Sequence, residues 1–147
     1  MVSLPPYIKS IVVGLILSDG HLEKRMLRKN ARLCFKQSFK HIEFALWIYI
    51  ILAHYCQSLP CLYKGSLNGK VFYGLALKTR AYPCFTLLHS AWYSNGVKVL
   101  PSNIFEDLTP IALAVWAQAD GSRHTSGFLL HTQSFTIQQV VLLINYP

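Results

Sequence analysis

The sequence has 147 residues, of which 52% are apolar and 13% aromatic, so it can form one ordinary hydrophobic core or two small ones. This composition excludes a disordered tail. Fourteen Lys and Arg against six Asp and Glu give a net charge of +8, which favours nucleic acid as a partner and leaves an anionic membrane surface as the alternative.

The first predicted element is a helix that covers the apolar run after the N-terminus. Ser3 is in a suitable position to be its N-cap, and the two prolines that follow are tolerated in a first turn. The apolar run ends at Asp19-Gly20. Gly20 is expected to adopt the left-handed conformation that often ends a helix.

Residues 21–39 contain two strand-length runs around a polar break at Lys29-Asn30, which predicts a hairpin. In the second run apolar and polar residues alternate, so one face should pack while the other is basic and hydrated. Half of the positive residues lie in this hairpin and its exit: Lys24, Arg25, Arg28, Lys29, Arg32, Lys36 and Lys40. They predict nucleic-acid binding by a β-ribbon, and Lys78 and Arg80 on a later hairpin would extend the surface.

The longest apolar run, residues 44–56, is shorter than the roughly 20 residues that a membrane-spanning helix needs. We therefore predict no membrane association, and a core helix over 41–56 that is covered on most sides. Two strands around an Asn68-Gly69 turn follow, then a short helix over 83–93, a loop over 94–103, and a helix that Thr109 caps and Pro110 begins.

The N-terminus resembles neither a signal peptide nor a transit peptide, so the protein is expected to act in the compartment that makes it. The cysteines have no CxxC spacing and are predicted to be reduced; they are Cys34, Cys56, Cys61 and Cys84.

A repeat relates the two ends of the chain. GLILSDG in the first part and AVWAQADG in the second both end in Asp-Gly, and the two aspartates, Asp19 and Asp120, are 101 positions apart. A Gln-Ser-Phe tripeptide follows each of them, at residues 37–39 and 133–135. The order of the elements therefore predicts two related halves about a pseudo-twofold axis.

The repeated aspartates predict a metal site. A carboxylate at a helix C-terminus is unfavourable unless a cation lies nearby. If the two helices pack side by side, both carboxylates meet at one end, and the small residues Gly14, Ala112 and Ala114 would allow a close approach. Two adjacent carboxylates in a basic protein indicate a divalent metal that faces a polyanion, which is nuclease chemistry.

Residues 14–20 (GLILSDG) and 112–122 (ALAVWAQADGS) resemble the two signatures of the LAGLIDADG homing endonucleases, specifically the two-motif, single-chain type encoded in organellar introns. The flanking segments GVKVLPSNIFEDLTP and GFLLHTQSFT are also similar to that family. The resemblance runs from about residue 4 to the end of the sequence.

This resemblance implies an α+β fold, a duplicated αββαββα unit with an antiparallel β saddle that binds double-stranded DNA in the major groove. The motif helices would form the interface between a first repeat over 1–108 and a second over 109–147. A full two-repeat protein of this type is expected to be a monomer, organelle-encoded in a mitochondrion or chloroplast without a transit peptide.

The resemblance also implies the roles of single residues. Asp19 and Asp120, with Gly20 and Gly121, would bind Mg²⁺, for which Mn²⁺ is a possible substitute. Lys98 would be a basic residue near the active site. Gln37 and Gln133 would orient water or contact a phosphate, although strict alternation puts Gln37 on the same strand face as Leu33 and Phe35.

Only 38 residues follow Thr109, so the second repeat is expected to be incomplete. The sequence leaves open a fragment, a decaying gene product or a form completed by association, and it predicts weak or no double-strand cleavage by this chain alone. Two other functions remain open. One is a maturase-like splicing cofactor that binds intron RNA without cleavage, and the other is a duplicated binding module without catalysis.

Overall fold

A computed structural model describes residues 3–26, 29–120, 122–124 and 127–129. The first half contains α1 (Pro6–Leu17), β1 (His21–Glu23), β2 (Arg32–Ser38), α2 (Ile42–Leu52), β3 (Cys61–Leu67), β4 (Lys70–Lys78) and α3 (Pro83–Trp92). The chain continues with a short hairpin of β5 (Tyr93–Ser94) and β6 (Val97–Lys98) and then the one-turn helix α4 (Ile104–Asp107). The last described elements are α5 (Pro110–Asp120), β7 (Ser122–His124) and β8 (Gly127–Leu129). The predicted α+β architecture with an antiparallel sheet is confirmed.

The main sheet has the strand order β1-β2-β4-β3, and all neighbouring strands are antiparallel. Leu33 and Phe35 of β2 are buried on the face that the helices cover. There the Phe35 ring packs edge to face against the Phe44 ring of α2, with 6.1 Å between the ring centres. Lys36, the next residue along β2, is exposed on the other face. The prediction of one packed and one basic face is therefore confirmed for this strand.

Two Asn-Gly turns determine where the hairpins reverse. Asn68 and Gly69 both have positive φ, 52° and 77°, as the predicted two-residue turn between β3 and β4 requires. Asn95 and Gly96 repeat this geometry, with φ of 51° and 78°, between β5 and β6. The prediction of a loop over 94–103 was wrong for residues 94–98, where the Asn-Gly pair forms a second tight hairpin turn.

The centre of the core is α1, in which every residue from 10 to 17 is buried. One side of this helix packs against α5 at very short range. A Cβ atom added to Gly14 would lie 2.6 Å from the carbonyl oxygen of Ala112 and 2.7 Å from Cβ of Val115. The two helix backbones therefore approach each other as closely as a glycine permits.

The structure confirms one of the two predicted helix N-caps. Thr109 caps α5 as predicted, because its Oγ1 accepts a hydrogen bond of 3.1 Å from the Ala112 amide. Ser3 is not the N-cap of α1, which begins at Pro6 with Pro5 as its N-cap. The Ser3 carbonyl instead accepts a hydrogen bond of 2.8 Å from the Tyr55 hydroxyl.

The prediction that α2 is covered on most sides was wrong. Ala45, Ile48 and Leu52 are buried, but Trp47 is 40% exposed and Ile50 is 69% exposed. The helix is apolar on nearly all sides, so sequence periodicity could not show which face the sheet leaves uncovered.

In the described part of the chain, no helix is both long enough and apolar enough to cross a membrane. Three residues of the predicted site, Arg28, Gly121 and Gln133, lie outside the described residues. The division into repeats at residues 108 and 109 stays a prediction.

Replacing Gly14 tests the helix contact. Gly14→Ala is expected to lower the free energy of unfolding by about 1–3 kcal/mol, because the added methyl overpacks the interface. The loss should appear although alanine is intrinsically a better helix former than glycine by roughly 0.5–1 kcal/mol. Urea denaturation measures it. Ala114→Ser, at an exposed position of α5, is the control, with an expected change within about 0.5 kcal/mol. A Gly14→Ala protein as stable as the parent would contradict the close approach.

Candidate active site and nucleic-acid interface

The helices α1 and α5 run side by side in the same direction. Near their starts, Lys9 Nζ of α1 lies 3.3 Å from Oδ1 of Asp107, just before α5. Further along, Gly14 meets Val115. These two residues occupy equivalent places in the repeat, each five positions before an aspartate, Asp19 or Asp120. Both helices therefore end on the same side of the molecule, next to β1 and β7.

The predicted interface residues divide between two surfaces. Gly14 and Ala112 lie in the contact between the helices, and Ala112 is fully buried. Ala114 is exposed and lines a shallow cavity with Phe44, Trp47 and Gln118. The expectation for Ala114 is therefore corrected, since Val115 is the residue of α5 that meets Gly14.

Backbone carbonyls at the end of α1 are densely hydrogen-bonded. The Ser18 hydroxyl donates to the carbonyl of Gly14 at 3.0 Å, and the Gly20 amide donates to that of Leu15 at 2.7 Å. Gly20 does not have the predicted positive φ. Glycine is needed there for space instead, because a Cβ atom would lie 2.8 Å from the Leu15 carbonyl oxygen.

Lys98 places a cation at the end of α1, and the divalent metal expected there stays a prediction. Its ammonium group donates to the carbonyls of Ile16 at 2.8 Å and Gly20 at 2.9 Å. A positive charge at this place opposes the partial negative charge of the helix C-terminus. The Asn95-Gly96 turn positions this lysine by folding β6 back on β5.

Gln37 links the sheet to the second motif helix. Its side chain is only 6% exposed, and Nε2 donates to the carbonyl of Ala119 at 3.4 Å, one residue before Asp120. Strand β2 pairs regularly through Gln37, opposite Leu75, and on to Ser38. Gln37 therefore lies on the packed face, away from the basic face, which corrects the expectation that it contacts a phosphate.

His21 and Glu23 follow the first motif on β1. Burial, and next the charge of Lys98, lower the pKa of His21. Glu23 accepts hydrogen bonds from Arg25 and Arg32, and these hold its pKa at about 2, with the Arg25 bond the larger cause. Two of the predicted basic residues are thus paired with an acid, and they contribute less free positive charge than the sequence suggested.

The basic face of the sheet carries Lys36 and Lys78, both exposed, and Arg32, which is partly exposed. Lys36 Nζ lies 5.4 Å from the centre of the Tyr63 ring. The Tyr63 ring packs edge to face against that of Phe72, with 6.3 Å between the ring centres. The aromatic residues were missed from the sequence, since the pairing of β3 with β4 was needed to place them beside Lys36. The other described members of the predicted basic set are exposed in connections: Lys24, Arg25, Lys29, Lys40 and Arg80.

Known proteins are similar to this chain in sequence and in fold. A sequence model of the LAGLIDADG DNA endonuclease family matches residues 9–146. The chain belongs to this family. Its fold is similar to that of the homing endonuclease I-WcaI bound to its DNA recognition sequence, with a TM-score of 0.89 and 23% identity over 99% of this chain and 67% of that one.

The family includes relatives with two kinds of name. The chain is 36% identical over 138 residues to cytochrome b mRNA maturase bI2 of Debaryomyces hansenii and 34% identical over 146 residues to that of Saccharomyces cerevisiae. It is 28% identical over 144 residues to probable intron-encoded endonuclease 1 of Wickerhamomyces canadensis. The matches cover 91%, 92% and 91% of this chain but 53%, 34% and 61% of the relatives. The chain therefore spans about half of their length.

Removing the Lys98 ammonium tests its hydrogen bonds to the end of α1. Lys98→Met keeps much of the aliphatic stem but leaves the carbonyls of Ile16 and Gly20 without this donor, so we expect a loss of about 1–3 kcal/mol in the free energy of unfolding. Lys70→Met, an exposed lysine at the start of β4, is the matched control. Urea titrations in which both variants have the same midpoint would show that the bonds contribute nothing.

Proposed function

We propose that the protein is a site-specific DNA endonuclease of intron homing, which hydrolyses phosphodiester bonds with Mg²⁺, or Mn²⁺ as a substitute. The observation that carries this proposal is the parallel pairing of α1 and α5 at Gly14. The pairing brings the helix ends that carry Asp19 and Asp120 to the same side of the molecule. Family membership supports the same chemistry.

The donor groups at this end suit a hard divalent cation. Carboxylate and backbone carbonyl oxygens are the ligands that Mg²⁺ takes in proteins, and in this proposal Asp19, Asp120, Gly20 and Gly121 supply them. The Gly20 carbonyl accepts from Lys98 through one lone pair and would offer its second lone pair to the metal. A bound Mg²⁺ would supply a more acidic water and stabilise the departing oxygen of the phosphodiester.

The surrounding residues would hold this arrangement in place. Lys98, through the carbonyls of Ile16 and Gly20, would fix the backbone around Asp19 and place a positive charge close to the phosphate. Gln37, through the carbonyl of Ala119, would fix the end of α5 before Asp120. Gln133, the equivalent residue of the second repeat, would have the same positioning role.

The substrate would lie against the basic face of the sheet. Lys36, Lys78 and Arg32 share this face with Tyr63, so phosphates could meet positive charge while the aromatic rings offer apolar contact. The exposed cations of the connections extend the surface at both ends of β2. In this proposal the repeats are 1–108 and 109–147, and the protein is expressed from an intron in the mitochondrion.

A maturase is the second candidate function, because the two relatives with 36% and 34% identity are named cytochrome b mRNA maturases. In that case the basic face would bind structured intron RNA, and the aspartates would not be needed. The two functions differ in their dependence on Asp19 and Asp120.

Cleavage of the uninterrupted host-gene DNA in Mg²⁺ tests the proposal. Asp19→Asn and Asp120→Asn are each expected to lower the cleavage rate by at least about 100-fold while leaving DNA binding in place. Glu43→Gln, which removes an exposed acid on α2, should cleave at the parent rate. Cleavage by both aspartate variants at the parent rate would refute the metal site. Splicing of the intron RNA by all variants, without DNA cleavage by the parent, would assign the maturase function instead.

Binding to the same DNA tests the basic face. Lys36→Gln should weaken binding and reduce the slope of log K against log salt by about 0.9, because one phosphate is no longer neutralised. Lys64→Gln is the matched control, because Lys64 follows Tyr63 in β3 and faces the opposite side of the sheet. Fluorescence anisotropy at several salt concentrations measures both slopes. Equal slopes for the two variants would remove Lys36 from the interface.

A further inference from the structure

Three side chains of different chemistry meet on the basic face of the sheet, on the two strands that follow the first motif. His21 stands directly opposite Cys34 in the β1–β2 pair, and Glu23 lies diagonally across on β1. One possible ligand atom of each, an imidazole nitrogen, a carboxylate oxygen and the thiol sulfur, lies within 4.8 Å of the other two. Nothing in the proposed cleavage chemistry uses this cluster.

The two oxygens of Glu23 have separate partners. Oε1 accepts hydrogen bonds from Arg25 Nε at 2.8 Å and Arg32 Nη2 at 3.1 Å. Oε2 faces the Cys34 sulfur at 3.6 Å. The arginines therefore hold the carboxylate in position and leave Oε2, which faces the Cys34 sulfur, available to a metal.

The spacing of these atoms suits a tetrahedral ion of moderate softness. With Zn–S near 2.3 Å and Zn–O near 2.1 Å, a tetrahedral site separates sulfur from oxygen by about 3.6 Å. Cys34 Sγ and Glu23 Oε2 already have this separation. His21 is exposed, so a rotation of its side chain can bring the imidazole nitrogen to the corresponding distance.

A cavity of about 140 Å³ adjoins the three residues, and Lys36 and Lys78 lie at its edge. It has room for an ion and for a fourth ligand, since a water molecule takes about 30 Å³. The thiolate and the carboxylate bring two negative charges to the ion, and the carboxylate shares its charge with Arg25 and Arg32. The neighbouring lysines favour an anionic group, such as hydroxide or a phosphate oxygen, in the fourth position.

We infer that His21, Glu23 and Cys34 form a binding site for a thiophilic divalent cation of the Zn²⁺ class, separate from the aspartates of the two motifs. Burial raises the pKa of the Cys34 thiol, so the free site carries a protonated sulfur that donates to Glu23. When the metal binds, the S–H bond breaks, its proton passes to the solvent, and the sulfur electron pair forms the bond to the metal. Magnesium, which prefers oxygen ligands, should not compete for the site.

Cobalt(II), used alone as a probe for zinc, tests this inference on the full reduced chain. Addition of Co²⁺ to the parent protein should produce a thiolate-to-cobalt charge-transfer band and the visible bands of a tetrahedral site. Cys34→Ser should abolish the charge-transfer band. Cys61→Ser, which replaces an exposed cysteine elsewhere on the same sheet, should retain it. Glu23→Gln and His21→Ala should each weaken Co²⁺ binding by at least about tenfold.

Two further measurements separate this site from the aspartates of the motifs. Asp19→Asn should give the same thiolate-to-cobalt band as the parent, and a large excess of Mg²⁺ should leave that band unchanged. Urea midpoints equal to that of the parent would show that the variants are folded. The inference is overturned if no thiolate band develops, if the band survives Cys34→Ser, or if neither Glu23→Gln nor His21→Ala weakens binding. These readouts do not depend on DNA cleavage, so the result for this site is independent of the result for the nuclease proposal.

Discussion

The approach of α1 to α5 at Gly14 is the contact on which the rest of the structure depends. A side chain there would overlap the Ala112 carbonyl and Val115, so the two helices can pack at this distance only because residue 14 is glycine. Residues 10–17 of α1 are all buried, which makes this helix the centre of the core. The direction and spacing of the pair then determine where both motifs end and which part of the sheet adjoins them.

Hydrogen bonds to main-chain carbonyls connect three separate segments to the helix ends. Ser18 belongs to the first motif, Gln37 to the sheet, and Lys98 to a hairpin that follows α3. Each donates to a carbonyl near the C-terminus of α1 or α5, where helices have acceptors without intrahelical partners. The helix ends of the motifs are thus held locally by Ser18 and, over a long distance in sequence, by Gln37 and Lys98.

Local signals in the sequence predicted much of this fold. Asn68-Gly69, Thr109-Pro110 and the alternation around Phe35 each act through a few neighbouring residues, and the structure has the turn, the cap and the packed strand face that they predict. The helix contact at Gly14 could also be anticipated, because the repeat pairs the two apolar segments.

The errors concern properties that depend on tertiary contacts. Gly20 is required by the space beside Leu15 rather than by its φ angle, and the exposed side of α2 follows from what the sheet covers. The cluster of His21, Glu23 and Cys34 depends on strand register, which no short motif specifies.

The exposed side of α2 gives salt two opposite effects on this protein. The net charge of +8 keeps molecules apart at low ionic strength. Added salt screens this charge and so weakens the attraction to polyanions. It also weakens the repulsion between molecules, so the exposed Trp47 and Ile50 of neighbouring molecules can associate. The salt concentrations that weaken contacts with polyanions are therefore expected to be the ones that favour association of the protein with itself.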